Sequence, residues 1–363
     1  MTAPAPRPGI LDIAPYVGGE ATSDGAERLI RLASNEGALG PSPNAATAYQ
    51  ALAGDLHRYP DGGSSALIEA LARVHGLDGG HIVTGAGSDE LLSLITRAYA
   101  GPGDEVLYSA HGFLMYPIAA RTVGATPVAA PETNLTANVD ALLAAVTPRT
   151  RIVFLANPNN PTGSYLSATE LARLHAGLPG NAVLVIDAAY AEFVDADDYT
   201  AGENLVRGAN NVVMVRTFSK LYALAALRLG WAYCPPQIAA VLHRVRGPFN
   251  VNAAAQAAGI AALDDLPFLD AARRHNQVCR EWFTTRLTAL GLTVYPSAGN
   301  FVLVDFSSWG SAESARLYLK NRGILVRQMG VYKLSHCLRI TIGRTSEMHE
   351  VAEALAGYSR LTA

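Results

Sequence analysis

Residues 212–231 read VVMVRTFSKLYALAALRLGW, and the lysine within that stretch, Lys220, decides the fold. Val212, Val213, Met214 and Val215 form a short apolar run of the kind that fills a strand buried on both faces. Thr217 and Ser219 place hydroxyls in the turn that follows, and the apolar positions of residues 221–229 resume at helical spacing, so strand, turn and helix are predicted in succession. Lys220 then stands at the C-terminal end of a strand, the edge at which open α/β sheets bind ligands. An isolated Ser-Lys pair in a loop is ordinarily a solvated charge. Arg228 changes its weight, because two helical turns would bring it near the face from which Lys220 starts. Thr217, Ser219 and Arg228 together suit a dianionic phosphate, with Lys220 free to take a carbonyl group.

The bulk composition fits such a site. With 363 residues, 50% hydrophobic and 16% charged, the chain is long enough for a large core in two lobes and has the make-up of a soluble globular enzyme. A formal charge of -3 gives no basic footprint for nucleic acid, and Asp, Asn or Gly breaks every apolar stretch well short of a membrane span. Cys234, Cys279 and Cys337 are far apart and show no CxxC spacing, which predicts reduced thiols in a cytoplasmic protein. Neither HxxxH nor HExxH occurs, so no metal is expected, and no GxSxG elbow marks a serine hydrolase. The opening MTAPAPRPG, residues 1–9, predicts an extended arm without a secretory pattern, and residues 10–16 the first segment to dock. Tyr16 is a candidate for the edge of a site, or else a packed aromatic anchor.

Taken in order, RLASNEGALGPSP (31–43) combines a short strand with a Gly/Pro-dense loop expected to line a pocket, and Asn35 lies in it. A helix over 44–53, the turn-rich RYPDGG (58–63) that exposes Tyr59, and a helix over 65–75 follow. The strand 81–84 runs into GAGSDE (85–90) and a helix through residue 99, so Ala86, Gly87 and Ser88 offer backbone amides at a helix N-terminus to an anion. The third glycine of a dinucleotide fingerprint is missing, and Glu105 precedes the next strand, which leaves a phosphate cup. In HGFLMY (111–116), Phe113 is placed to stack on a flat heterocycle or to join the core. Strands at 124–128 and 151–156 flank a helix at 140–146, and NPNNPTG (157–163) turns sharply after the second of them, leaving the Asn160 amide available. The strand 182–186 ends in Asp187, with Tyr190 shortly after. A carboxylate at the end of a buried strand is costly unless a cation meets it, and that cost argues for a ligand. A loop into a small-residue helix (245–258) and a long helix (267–290) lead to strands at 300–306, 324–327 and 337–342 and a closing helix at 346–358. Arg327 and Arg339 stand on two of those strands, which suggests anion capture, with surface ion pairing as the alternative. The predicted division is an N-terminal arm with part of a small domain over 1–40, a large domain over 41–268 and a small α+β domain over 269–363.

Asn160, Asp187, Tyr190, Lys220 and Arg228, in this order and each at a strand end or helix start, resemble the class I/II aminotransferases, pyridoxal-phosphate enzymes of fold type I, over nearly the whole chain. Within that family SNEGALGPSP, RYPDGG, GAGSDE, NPNNPTG, DAAY, TFSK and LRI are most similar to the histidinol-phosphate aminotransferases. The resemblance implies an α/β fold whose large domain has a mostly parallel, seven-stranded-type sheet between helices, beside a smaller α+β domain. It implies pyridoxal 5'-phosphate as cofactor, with Lys220 holding its aldehyde covalently and later moving the substrate's α-proton. Asp187 would pair with the ring nitrogen, Tyr190 and Asn160 with the phenolic oxygen, and Phe113 would cover the ring. The phosphate would fall to Ala86, Gly87, Ser88, Thr217, Ser219 and Arg228, joined by Tyr59 from the neighbouring subunit of a homodimer. Arg339 would take the α-carboxylate of glutamate and Arg327 the phosphate of histidinol phosphate, with Tyr16 and Asn35 close by.

The implied reaction moves an amino group from histidinol phosphate to 2-oxoglutarate in histidine biosynthesis. An aromatic-amino-acid aminotransferase and a threonine-phosphate-type decarboxylase are alternatives on the same fold, and a binding protein without turnover is one from another class. Retention of Lys220, Asp187 and Tyr190 speaks against a mere binder, which needs no electron sink. Gly37 within SNEG, Ala223 and Ala226 after the lysine, and Arg344 after IG depart from the family pattern and leave the amino donor open.

Overall fold

The apolar run that begins at Val212 is the strand Val212–Thr217, buried along its whole length. In the computed structural model, which describes residues 4–22 and 28–362, this strand lies third from one edge of a seven-stranded sheet. Residues 1–3 of the expected N-terminal arm fall outside the described residues.

Numbered in chain order, the strands of the two main sheets are β1 (Ile30–Leu32), β2 (Ile82–Gly85), β3 (Glu105–Ser109), β4 (Thr126–Ala130), β5 (Thr150–Ala156), β6 (Val183–Asp187), β7 (Val212–Thr217), β8 (Gly230–Tyr233), β9 (Thr293–Tyr295), β10 (Phe301–Asp305), β11 (Ile324–Gln328) and β12 (Cys337–Thr341). The large sheet runs β2-β8-β7-β6-β5-β3-β4, and β8 is antiparallel to both of its neighbours. The remaining pairs are parallel, as expected for an α/β sheet sandwiched between helices. Successive side chains of β7 enter different cores. Val213 and Val215 pack with helices Ser88–Tyr99, Met115–Thr122 and Pro236–Val245, while Val212 and Met214 pack with Ser65–His75, Ala168–Gly177 and Ala253–Asp264. At roughly 1.5–3 kcal/mol for each fully buried side chain, two-sided burial outweighs strand propensity in fixing this segment at the centre.

Local chemistry sets the helix ends near the site. Asp61 of RYPDGG accepts from the Gly63 and Ser65 amides at 2.8 and 2.6 Å, fastening the start of Ser65–His75, which stops at Gly76 with φ 61°.

The second sheet runs β1-β11-β12-β10-β9, with the N-terminal β1 parallel to β11. Its own core joins Ile30 and Leu32 to Phe283 of helix Leu266–Ala289, to Val302 and Ile340 of the sheet, and to Leu355 of helix Thr345–Thr362. Residues 33–42 therefore lead directly from one lobe into the first helix of the other, Pro43–Ala51.

The helix expected over residues 221–229 is absent. After Lys220 the chain makes turns and a single 3₁₀ turn, Ala225–Leu227, before β8. The Phe218 amide donates to Leu229 O at 3.0 Å and the Leu224 amide to Phe218 O at 3.0 Å, so the segment folds back and lets β8 pair with β7. Leu221, Tyr222, Leu224 and Leu229 are buried by this loop, which satisfies the apolar spacing without a helix. Ala223 and Arg228 have φ of 54° and 53°, outside the right-handed helical region.

The departures at Gly37 and Ala223 are one fitted pair. A Cβ at Gly37 would lie 2.5 Å from the Ala223 Cβ and 3.2 Å from Lys220 O, so the Ala223 methyl fills the room that a side chain at position 37 would need. Holding alanine at positive φ costs about 1–2 kcal/mol, and glycine loses about 0.4–1 kcal/mol more entropy on folding. Ala223→Gly is therefore expected to raise stability by up to about 1 kcal/mol, read as a higher urea midpoint at constant slope. A lower midpoint would show that the methyl contact with Gly37 outweighs the strain.

Candidate active site

The C-terminal ends of β2, β5, β6 and β7 share one edge of the large sheet, and they open on a cleft of about 310 Å³ walled on the far side by the second lobe. Lys220 enters it just past the end of β7. Its ammonium lies 5.7 Å from the centre of the Tyr190 ring and donates to Ser34 O at 3.4 Å. Desolvation, then the Arg339 guanidinium, pulls the amine from the usual 10.5 down to about 8, against the pull of Asp89. A lysine so placed is a nucleophile and base near neutral pH rather than a fixed charge.

Asp187, the last residue of β6, is buried. Its Oδ2 accepts from the Tyr116 hydroxyl at 2.8 Å, while Oδ1 is buried without a hydrogen-bond partner. Burial pushes the carboxyl up to about 6, opposed first by the Tyr116 hydrogen bond. Tyr190 is also buried and its hydroxyl accepts from Asn35 Nδ2 at 2.8 Å. Asn35 is held in turn by Thr341 Oγ1, which donates to its Oδ1 at 3.1 Å and accepts from its backbone amide at 2.9 Å. The Asn35 side chain is thus committed to Tyr190 and Thr341, and it acts on the cleft through Tyr190.

The anion end forms where the loop after β7 meets helix Ser88–Tyr99. Arg228 Nη1 donates to Ser219 Oγ at 3.2 Å, and its Nη2 pairs with Asp89 Oδ2 at 3.2 Å. A side chain at Gly87, which has φ 88°, would overlap that guanidinium, so glycine is required there twice over. The expected amide of Ala86 is not free. It donates to Glu90 Oε2 at 2.6 Å, and neither Ala86 nor Gly87 lines the cleft, whereas Ser88 and Asp89 do. Glu90 is fixed by Asn250, whose Nδ2 reaches the same oxygen at 2.7 Å, so this acid caps the turn from inside and shifts the anion contacts towards Ser88.

Arg327 and Arg339 stand directly opposite each other on β11 and β12. Like charges facing across a strand pair are destabilising, and among the described residues both arginines bond to carbonyl or amide oxygens rather than to a carboxylate. Arg339 is buried; it donates to Asn160 Oδ1 and, at 2.8 Å, to Ala33 O, and its Nε is left without a partner. Arg327 is half-buried and donates to Val17 O at 2.6 Å. Among the described residues, the surface ion pairing held open for these arginines does not occur.

Of the other expected residues, Phe113, Asn160, Thr217 and Tyr16 also line this cleft. Tyr59 does not; it is 83% exposed and stacks on Phe249 with centroids 4.7 Å apart. Arg344 is exposed beyond β12 and does not line the cleft, and Ala226 is exposed in the 3₁₀ turn. The sequence reading missed Tyr332, Asp89 and Tyr116. The first two line the cleft, and Asp89 was visible inside GAGSDE as an acid in the first turn of a helix. A cluster of Asp305, His336 and Cys337, with ligand atoms within 4.8 Å of one another, was not visible, because it arises from the pairing of Asp305 with Cys337 across β10 and β12.

Residues 27–355 match the family model of aminotransferases class I and II. The chain belongs to that family. A histidinol-phosphate aminotransferase of Rhodospirillum centenum is 64% identical to this aminotransferase over 359 residues, 99% of each chain. One from Rhodospirillum rubrum is 56% identical over 98% of this chain and 97% of its own. Among solved structures, the histidinol-phosphate aminotransferase of Sinorhizobium meliloti, in complex with pyridoxal-5'-phosphate, is similar over 100% of both chains with a TM-score of 0.92 at 32% identity. Thermus thermophilus aspartate aminotransferase, at 22% identity and a TM-score of 0.80 over 91% of each chain, shares the fold.

The cleft of this aminotransferase fits pyridoxal phosphate. The unpartnered Asp187 Oδ1 is an acceptor in search of a cation, which a protonated ring nitrogen supplies. Phe113 offers an aromatic face, Ser88, Thr217, Ser219 and Arg228 offer donors to a phosphate, and Lys220 offers an amine to an aldehyde.

Proposed function

We propose that this aminotransferase uses pyridoxal 5'-phosphate to transfer the amino group of histidinol phosphate to 2-oxoglutarate, a step of histidine biosynthesis. One observation carries the substrate pair: Arg327 and Arg339 face each other across two strands without a carboxylate partner among the described residues, in the same cleft as Lys220. Two opposed cations suit a site that must hold two different anionic tails in turn. Histidinol phosphate carries a phosphate and no carboxylate, whereas glutamate and 2-oxoglutarate carry an α-carboxylate. Arg339, buried and with Nε open, is assigned the carboxylate, and Arg327, nearer the surface, the phosphate.

Bound pyridoxal phosphate supplies an aldehyde that accepts amines and a protonated ring that draws electrons from the neighbouring carbon. The chain's own groups do the rest. Asp187 keeps the ring nitrogen charged, Tyr190 and Asn160 hold the phenolic oxygen, and Phe113 covers the ring. Ser88, Thr217, Ser219 and Arg228, with Gly87 making the room, hold the cofactor phosphate. Lys220 first retains the cofactor and then, as a free amine near its lowered pKa, carries the proton away from the substrate α-carbon. Tyr16 completes the substrate side, and Asn35 serves it through Tyr190.

The proposed assembly is a homodimer with Tyr59 reaching the neighbouring subunit's phosphate end. Its support is that Leu56 at 80% and Tyr59 at 83% exposure form, with Phe249, an apolar patch away from their own cleft. Three buried free cysteines suit a cytoplasmic, reducing setting, and no helix among the described residues is long and apolar enough to cross a membrane. The large sheet has a core on each face and the second sheet a core of its own, which supports the division into 1–40 with 269–363 on one side and 41–268 on the other.

Steady-state rates decide the donor. Histidinol phosphate with 2-oxoglutarate is expected to outpace phenylalanine or tyrosine with the same acceptor, and Arg327→Met is expected to lower kcat/KM for histidinol phosphate roughly 10- to 100-fold, the worth of a hydrogen bond between charged groups at ~1.5–3 kcal/mol. Comparable rates with the aromatic donors, or an Arg327→Met variant that loses activity equally on every donor, would remove the assignment.

A further inference from the structure

We propose that Tyr116 is a positioning residue of this reaction: its hydroxyl selects which oxygen of Asp187 faces the cofactor's ring nitrogen, and its ring backs Phe113, which covers the cofactor. This rests on the pyridoxal-phosphate reading above and assigns a role to a residue that does not line the cleft.

Tyr116 is the sixth residue of HGFLMY and lies at the start of helix Met115–Thr122, completely buried. Three neighbours fix its ring. It stacks on Phe154 of β5 with centroids 4.7 Å apart and planes at 8°, and it meets Phe113 edge-on at 5.9 Å and 88° and Tyr108 at 6.3 Å and 63°. A ring clamped in this way aims its hydroxyl in one direction, and the structure has it donating to Asp187 Oδ2 at 2.8 Å.

The terminal torsion of an aspartate is broad and roughly two-fold, so a carboxylate without a fixed partner on one oxygen has no set presentation of the other. With Oδ2 tied to Tyr116, Oδ1 is left buried and open. The groups that bear on Asp187 are Tyr116, the Ala189 amide, Asp89, Lys220, Tyr190 and Tyr199. Burial of the Asp187 carboxyl disfavours its charged form, and the phenol works in the opposite sense by stabilising the anion. Burial first, then the charge of Asp187, holds the Tyr116 phenol itself well above its ordinary range, so it remains a donor at every working pH. One side chain therefore sets both the contact to the ring nitrogen and the support of the ring's face.

The test uses Tyr116→Phe, which keeps the stacked ring and deletes only the hydroxyl. Wild-type and variant apoprotein are titrated with pyridoxal phosphate across a pH series, following tryptophan fluorescence and absorbance, and both are melted without cofactor. The variant is expected to melt close to the wild type, to bind the cofactor roughly 10- to 100-fold more weakly, as is usual when the partner that orients a binding group is removed, and to leave the KM for histidinol phosphate nearly unchanged. The hydroxyl lowers the Asp187 pKa, so without it that pKa rises and the acid-side loss of affinity should begin at higher pH than in the wild type. An unchanged affinity and acid limb would overturn the proposal. Weaker binding with an unmoved acid limb would also overturn it, since a packing defect gives that result. A wild-type protein that takes up no cofactor would instead defeat the reading on which the proposal rests.

Discussion

Lys220→Ala is expected to abolish turnover of histidinol phosphate with 2-oxoglutarate, with a loss of on the order of 10²–10⁴-fold from the missing base alone and more from the missing covalent anchor. Lys220→Arg should fare no better, since it keeps a charge but cannot condense with an aldehyde. The lysine is half-buried in a loop that Phe218, Leu224 and Leu229 close with backbone hydrogen bonds, so neither change should unfold the chain. Borohydride treatment of the cofactor-loaded wild type followed by peptide mapping should find the label on Lys220. Because the amine is lowered from 10.5 to about 8, capture of the cofactor aldehyde should accelerate as pH rises through about 8 and level off above it. Label on another lysine, or near-normal rates in Lys220→Ala, would sink the assignment.

Asp187→Asn should act in opposite directions on the two states of the protein. The cofactor-loaded enzyme loses the charge that keeps the ring nitrogen protonated, and breaking a buried charge pair typically costs about 3–5 kcal/mol, so affinity and turnover should fall by at least ~100-fold. The cofactor-free protein should gain. Its carboxyl is raised from 3.8 to about 6, which means that the folded state holds the proton more tightly than the unfolded chain does. The stability associated with that proton is fully present below about 3.8 and is lost as pH rises through about 6, up to roughly 3 kcal/mol. Asparagine carries no such liability and can still accept from Tyr116. Cofactor-free Asp187→Asn should therefore melt higher than the wild type at pH 7, with the difference closing at pH 4. Melting temperatures that are equal at pH 7 would mean that the buried carboxylate is not under strain.

The strand ending in Thr217 and the one ending in Asp187 were legible because continuous apolar runs have few other uses, and a carboxylate at the end of one stands out. The loop after Lys220 was not. Over nine residues its apolar spacing suits a helix, and only the pairing of Phe218 with Leu229, which brings β8 beside β7, reveals the alternative. Arg327 and Arg339 were visible as cations on strands, but their direct opposition depends on the register of β11 and β12. Tyr116 and Asp187 are 71 positions apart, and an aromatic residue carries no sign in the sequence of where its hydroxyl points. The Ala86 amide was assigned to an anion because nothing local showed that Glu90 would turn back and claim it.

The pairing of Ile30 with Ile324 has a consequence for biogenesis. Ile30 and Ile324 are 324 − 30 = 294 positions apart, so β1 has no partner strand until the chain between them has been made. Residues 33–36, which hang from that strand and wall the catalytic cleft, take their places only once β11 is there to hold β1. Newly made chains should therefore acquire the large sheet first and competence to bind the cofactor last.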